Sequence, residues 1–295
     1  MQTYNIMKLL IETTNYDQTI KIAQGLNREY EHPITFHCFW HGNLNDKHLN
    51  SILSCYYFNV HKNKHRIILW LENNTPNTFN HEIEKYAEIR SFSLIKEKEG
   101  TFLETKELKW NNTLTPNWSL AYLADLVRTL LLYKYGGCWF DLDCFFLRSF
   151  DPLFKEYGNE ICVYQWGSGN NPNNAIYFSL KPFSETMKKN IEFIMERNRG
   201  WGFGEAGLTY DLPLDMLVLP CTWFDAAWID NRICSWDSFF EKTDKIHTFD
   251  TFYNGAYCFH WHNHRTHTIQ EQSIFDQLVA QIKVTLQIAN PSGLY

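Results

Sequence analysis

The 295-residue chain has no block of basic residues. Lys and Arg number 27 against 33 Asp and Glu, a net charge of −6. That excludes the cationic face a nucleic-acid binder presents. No apolar run reaches the ~20 residues of a membrane-crossing helix, and the first residues lack the apolar stretch of a secretion signal. A soluble protein of the bacterial, viral or host cytoplasm is therefore expected, rather than a Golgi-lumenal fragment trimmed of its anchor. The eight cysteines form no C-x-x-C pair, which removes a zinc knuckle. Several lie in apolar strings, as buried free thiols do, so a reducing compartment is expected. The glycine-rich stretch at 199–210 has no Lys-Ser or Lys-Thr after it, so it is not a phosphate-cradling loop. The three sequons, at Asn73, Asn111 and Asn117, matter only in a secretory setting. Internal repeats, low-complexity tracts and interdomain linkers are all missing.

What the chain has is enough length for one full core and many aromatics: 11 Trp, 16 Tyr and 22 Phe. Core filling is the default for most of them, with stacking on sugars or bases the alternative. Ile20, Ile22, Ala23 and Leu26 suggest a helix over Tyr16 to Tyr30, within an N-terminal helical element at 1–32. Residues 33–295 read as a single catalytic domain. The apolar run Ile34 to Trp40 is a buried strand, ended by the turn His41-Gly42-Asn43. A helix over Leu49 to Val60 and a strand over Arg66 to Leu71 follow. Strand, helix, strand implies a parallel pair with a right-handed crossover. Further on, the pattern predicts a helix at His81 to Ala87, a strand at Phe92 to Ile95 and a long loop at 99–118. It then gives a strand at Ile161 to Trp166, a loop at 167–174 and a strand at 175–179. A helix from Pro182 to Arg197 and a strand at 217–220 complete the series. This alternation is that of an α/β protein.

The densest stretch is 119–146, SLAYLADLVRTLLLYKYGGCWFDLDCFF. Leu120, Leu123, Val127, Leu130 and Leu131 share one side at helical spacing. Asp125 and Arg128, three apart, share another stripe. Ser119 is the candidate N-cap, and Gly136-Gly137 ends the helix. Cys138 to Phe140 is a short strand. Alternation beyond it would put Asp141 and Asp143 on one side and Leu142 on the other. Two such carboxylates suit a hard divalent cation, and Mg²⁺ or Mn²⁺ so held can bind a diphosphate. By itself the tripeptide reads equally as two solvated carboxylates, and Asp125 with Arg128 as a surface ion pair. Late in the chain His260, His262, His264 and His267 invite a zinc reading, but no second half-site accompanies them.

The string LADLVRTLLLYKYGGCWFDLDCFFLRSFDPL, residues 123–153, resembles the sugar-binding region of DxD glycosyltransferases. The similarity is nearest to the Och1-like α-1,4-glycosyltransferase class (glycosyltransferase family 32-like) and to the glucosyltransferase domain of clostridial toxins. It is strong over about thirty residues. The resemblance implies a GT-A fold, a Rossmann-like mixed sheet flanked by helices. It implies a nucleotide-sugar donor (UDP-linked favoured, GDP-linked possible), a glycan or other hydroxyl acceptor, Mn²⁺ or Mg²⁺, and retention of configuration. It assigns sugar and phosphate contacts to Asp125 and Arg128. Asp143 meets the metal directly, and Asp141 does so through water or serves the ribose. Trp40 takes the base, an alternative to a core tryptophan, with His41 and Gly42 beside it. Asn174 or Asn173 lies near the transferred sugar. His260, Trp261, His262 and Asn263 form the segment closing over the diphosphate, with His260 or His262 as a further metal ligand. Glu205 and Ala206 depart from the Gly-Pro of the family, which leaves Glu205 without an assigned role. Two competing classes remain: a metal-dependent phosphoesterase or nuclease, and an inactive sugar-nucleotide binder. The sequence does not indicate an oligomeric state.

Overall fold

The computed structural model describes residues 8–9, 16–72, 79–106, 116–166, 171–197, 216–262 and 267–288. The 199–210 stretch with Glu205, the sequons at Asn73 and Asn111, Asn263 and His264 lie outside them.

The elements run β1 (Lys8–Leu9), α1 (Tyr16–Gly25), β2 (Thr35–Trp40), α2 (Asp46–Cys55), β3 (Arg66–Glu72), α3 (Asn80–Ile83), β4 (Glu88–Phe92) and α4 (Leu94–Lys98). Then come α5 (Pro116–Tyr135), β5 (Gly137–Phe140), β6 (Cys144–Phe146), α6 (Asp151–Tyr157), β7 (Ile161–Trp166) and β8 (Asn171–Ser179). The series ends with α7 (Glu185–Arg197), β9 (Met216–Leu219), β10 (Cys258–His260) and α8 (Ile274–Thr285). One eight-stranded sheet has the order β1-β9-β7-β8-β5-β2-β3-β4, and β6 pairs with β10 apart from it. Only β8 runs against the others. This is the α/β mixed sheet flanked by helices that the GT-A reading expects. The carboxyl ends of β2, β3, β5, β7 and β9 share one edge, where ligands of such sheets sit.

Strand alternation splits the core in two. Phe36, Cys38, Leu69, Phe140 and Phe178 face one layer, packed on α2 and α6. Phe39, Ile68, Trp70, Trp139 and Val163 face the other, packed on α5 and α7. A third cluster, rich in Phe, holds β6, β10 and α8 together. Helix α1 is tied to this body rather than set apart. Trp223 Nε1 donates to Thr19 O at 3.0 Å, and Arg148 donates to the carbonyls of Ala23 and Leu26. All eight cysteines are buried and free.

Several expected boundaries moved. Helix α5 begins at Pro116, not Ser119, and proline suits a first helical turn because its missing N–H has no intrahelical role there. Helix α2 begins at Asp46, because Asn45 and His48 form a reciprocal cap that lacks the usual Glu or Gln. Its far end continues as a π-helical turn over Tyr56–Val60. Helix α1 stops at Gly25. The strand expected at Phe92 to Ile95 is instead β4, ending at Phe92. The chain then enters α4, where Ile95 is 78% exposed and no sheet face buries it. Strand β8 starts at Asn171, inside the stretch read as a loop. Asp151-Pro152 opens α6, where proline again suits the first helical turn.

The Gly-Gly break is enforced by space as well as by dihedral. Gly136 and Gly137 have φ of +66° and +109°. A Cβ there would lie 2.5 Å from Leu180 O and 2.3 Å from Thr35 O. Beside them His37 is wholly buried. Trp70 Nε1 donates to its Nδ1 at 3.1 Å, and its Nε2 faces Gly136 O at 3.1 Å. An indole N–H can only donate, so the ring is neutral with its proton on Nε2. Burial lowers its pKa to about 3. Below about pH 6.5 the unfolded chain takes up a proton that the folded chain refuses, so stability falls as pH drops toward 3. The slope is at most ~1.4 kcal/mol per pH unit. Urea titrations at pH 7 and 5 are expected to show His37→Gln losing roughly 2 kcal/mol less than wild type over that interval. Parallel losses would show that His37 is not the sensitive group.

Candidate active site

Helix α5 delivers Asp125 and Arg128 to the carboxyl edge of the sheet. Their side chains are 10% and 5% exposed, so they are not a solvated surface pair. Arg128 Nη2 lies 3.3 Å from Asp125 Oδ1 and 3.2 Å from Asp141 Oδ1. Its Nη1 donates to Asn174 O at 2.6 Å and also contacts Asn174 Oδ1. Asn174 Nδ2 donates back to Asp125 Oδ1 at 3.2 Å. Asn174 therefore joins the two helical residues to the Asp-x-Asp segment. Asn173, the alternative, instead accepts from the Ala175 N–H at 2.7 Å. Trp139 Nε1 donates to Asp141 Oδ1 at 2.7 Å, and its ring lies 5.2 Å from the Arg128 guanidinium carbon. Burial opposes the Arg128 charge, but Asp141 and Asp125 outweigh it and raise its pKa. Asp141 is raised as well, by burial first and by the neighbouring Asp143, against the pull of Arg128.

The two aspartates are not on a strand. Strand β5 ends at Phe140, and Cys144 N–H bonds Asp141 O at 3.0 Å, closing a turn. Strand alternation therefore does not place them on one side, and the turn gives them different partners. Asp141 meets Arg128; Asp143 meets His260. The antiparallel register of β10 on β6, His260 opposite Cys144, brings that histidine in. Trp261 N–H, donating to Asp143 O at 3.0 Å, fastens it. His260 Nε2 lies 3.2 Å from Asp143 Oδ1. Burial alone would raise Asp143 and lower His260; their mutual attraction reverses both, holding Asp143 down and raising His260 to about 9.

Asp143 Oδ1 is buried and has no aligned hydrogen-bond donor. A buried carboxylate oxygen without a donor is costly, and a cation would satisfy it. Asp143 and His260 thus fit a divalent ion with mixed oxygen and nitrogen preference, such as Mn²⁺. Cys144 completes a possible ligand group with them. Burial raises that thiol well above its usual range, which keeps it a poor ligand for a hard ion.

Two residues that sequence reasoning passed over join this cluster. Tyr164 OH is 2.7 Å from His260 Nδ1. Asp225, with 0% side-chain exposure, lies 2.6 Å from His262 Nε2 and 3.9 Å from His260 Nδ1. A lone Asp in the apolar run LVLPCTWFDAAW was the available signal, since a buried charge must find a partner. His262 has φ of +55°, which ends the extended run and sets its ring 4.0 Å from that of His260, tilted by 35°.

Trp40, His41 and Gly42 lie at the carboxyl end of β2, beside β5. In that register Trp40 is level with the Asp-x-Asp turn. It is half-buried, its ring 3.9 Å from His48, and its Nε1 donates to Asn43 O at 3.0 Å. His41 pairs with Glu72, and Gly42 turns with φ of +90°. Trp261 corrects an expectation: at 1% exposure it packs on Phe239, Phe240 and Phe275, leaving no ring face for a donor. Asp125 is corrected in part, because its Oδ1 already serves Arg128 and Asn174.

Residues 45–160 match the family model described as "Glycosyltransferase sugar-binding region containing DXD motif". The chain carries the DXD sugar-binding region of a glycosyltransferase. This glycosyltransferase region spans Asp125, Arg128, Asp141 and Asp143, while Asn174, Asp225 and His260 lie beyond it. Among solved structures, an active-site mutant of LgtC is similar at 10% identity and a TM-score of 0.44, over 87% of this chain and 98% of that one. The apo form of mouse xyloside xylosyltransferase 1 is similar at 12% identity and a TM-score of 0.41, over 77% and 98%. The glycosyltransferase GlyE of Streptococcus pneumoniae TIGR4 is similar at 14% identity and a TM-score of 0.41, over 65% of this chain and 46% of its own. No curated protein matches the sequence. Among the described residues, no helix is long and apolar enough to cross a membrane.

Proposed function

We propose that this glycosyltransferase moves a hexose from a nucleoside-diphosphate sugar, UDP-linked first and GDP-linked second, to a hydroxyl of a glycan or other acceptor. Residues 33–295 act as one catalytic unit, with α1 braced against it and β1 paired to β9 in its sheet rather than part of a separate helical element. Retention of configuration is what the sequence resemblance implies. The reading rests above all on Asp143 Oδ1, a buried carboxylate oxygen that no donor meets in aligned geometry, paired with His260 Nε2 at 3.2 Å.

Asp143 and His260 would hold Mn²⁺, or Mg²⁺, and a cation there supplies neutralisation of the diphosphate leaving group. His262, drawn to Asp225, serves the site from behind His260 rather than as the first ligand. Asp141 keeps 27% of its side chain open while Arg128 fixes its orientation. It is placed to accept from a sugar or ribose hydroxyl. Arg128 holds Asp141 and Asn174 together, and Asp125 holds Arg128. The upward pull on the Asp141 pKa makes that carboxylate a better hydrogen-bond acceptor. Trp40, level with the turn one strand away, offers an indole to the base, flanked by His41 and Gly42.

A panel of UDP- and GDP-sugars tested by thermal shift, with Mn²⁺ and with EDTA, checks the reading. One donor is expected to raise the melting temperature only with the cation. At a hundredfold excess over Kd the gain is about 2.7 kcal/mol. The same donor should release nucleoside diphosphate. Release of inorganic phosphate would indicate a phosphoesterase, and nucleotide binding indifferent to EDTA would indicate an inactive binder.

A further inference from the structure

Exposed large apolar side chains are ordinary when scattered singly. Trp166 and Trp228 are each 42% exposed, and they touch: their ring centroids lie 6.3 Å apart at 82°. Half-buried Trp236 extends the group, 4.5 Å from Trp228. The ridge is fastened to the active site. Trp228 Nε1 points at His262 Nε2 from 3.1 Å, and Trp236 Nε1 donates to Asp225 Oδ1 at 3.3 Å. The His262 nitrogen is shared: with its proton it donates to Asp225, and without it accepts from Trp228. The His262 ring in turn packs against that of His260, the partner of Asp143. Trp228 and Trp236 are thus held in place by their polar edges, while Trp166 and Trp228 keep 42% of their surface exposed.

Position decides which substrate they serve. Trp166 ends β7 at the same sheet edge as the Asp-x-Asp turn, on the side away from β2. Trp40 lies on the β2 side. The turn separates the two aromatic sites, so a donor with its base at Trp40 leaves the Trp166–Trp228 side free. A pyranose has a face of C–H groups and a rim of hydroxyls. Indoles at right angles bury such a face, and a ring nitrogen nearby can meet the rim.

We propose that Trp166, Trp228 and Trp236 form the acceptor subsite and that the acceptor is a pyranose-containing glycan. This rests on the transferase reading above. A second copy of the chain is a poorer occupant, because a stable interface takes about 800 Å² from each partner, and three tryptophans at ~150–250 Å² each fall short of it, the more so with Trp166 and Trp228 only 42% exposed.

The test is saturation-transfer NMR with methyl glycosides of glucose, galactose, mannose and N-acetylglucosamine, on wild type, Trp166→Ala and Trp166→Ala/Trp228→Phe. UDP and GDP binding with Mn²⁺ is measured by calorimetry on the same samples. Wild type is expected to saturate the ring C–H protons of at least one glycoside, and the double variant to weaken that binding at least tenfold. Equal glycoside binding by wild type and double variant overturns the proposal, as does no glycoside binding by wild type. If UDP or GDP still binds in those cases, only the acceptor subsite fails; if neither nucleotide binds, the transferase reading fails with it. Concentration-dependent dimerisation in sedimentation, abolished in the double variant without any glycoside binding, would also overturn it in favour of a contact between copies.

Discussion

Asp143→Asn is expected to cut donor turnover with Mn²⁺ by roughly a thousandfold, the worth of several kcal/mol of charge stabilisation at the leaving group. The substitution keeps the shape of the side chain and removes the charge. It also leaves His260 facing a neutral amide where a carboxylate oxygen was 3.2 Å away. Cation binding should fall in step, and Mn²⁺ electron paramagnetic resonance reads it independently of turnover. Asp141→Asn should behave differently. That carboxylate is engaged by Arg128 and by Trp139 Nε1, so its loss disturbs orientation more than charge neutralisation. A residual activity with near-normal Mn²⁺ affinity is expected. Equal losses of activity and affinity in the two variants would contradict the division of labour between the two aspartates.

Arg128→Met should produce the largest loss of stability. Removing the guanidinium strands the Asp125 and Asp141 carboxylates and takes a donor from the Asn174 carbonyl. Breaking a buried ion pair in this way costs about 3–5 kcal/mol. Arg128→Lys keeps the charge but loses the planar fork, so it should lose less. The discriminating variant is Arg128→Met with Asp125→Leu. Part of the loss should return, because one stranded charge is gone. Urea denaturation reads all three. A double variant less stable than Arg128→Met alone would mean that the network is not limited by unpaired charge.

What the sequence revealed follows the range of each interaction. The helix, the Gly-Gly break and β5 are written in local spacing. Arg128 beside Asp125 is a three-residue relation, so those parts were legible. Asn174 came from resemblance, and the geometry brings it to Arg128. The turn at Asp141 to Asp143 was misread because strand alternation was carried three residues past the end of β5. Trp261 was misassigned against a rule that was available: neighbours on an extended run face opposite sides, so with His260 in the site Trp261 belongs to the core. Tyr164 was not legible, and the apolar run around Asp225 signalled a buried charge but not its partner. Each reaches His260 from a different part of the chain, and nothing in its local sequence names a distant partner.

The antiparallel pairing of β6 with β10 places His260 against Asp143 across more than a hundred residues of sequence. The chain's chemistry is therefore late in coming. During synthesis the Asp125–Arg128–Asp141 triad can assemble well before β10 has been made, but a nascent chain lacks half of the pair that would grip the cation. If Asp143 and His260 hold the cation as proposed, a newborn chain stays inert toward its donor until the segment around 258–260 clears the ribosome and docks.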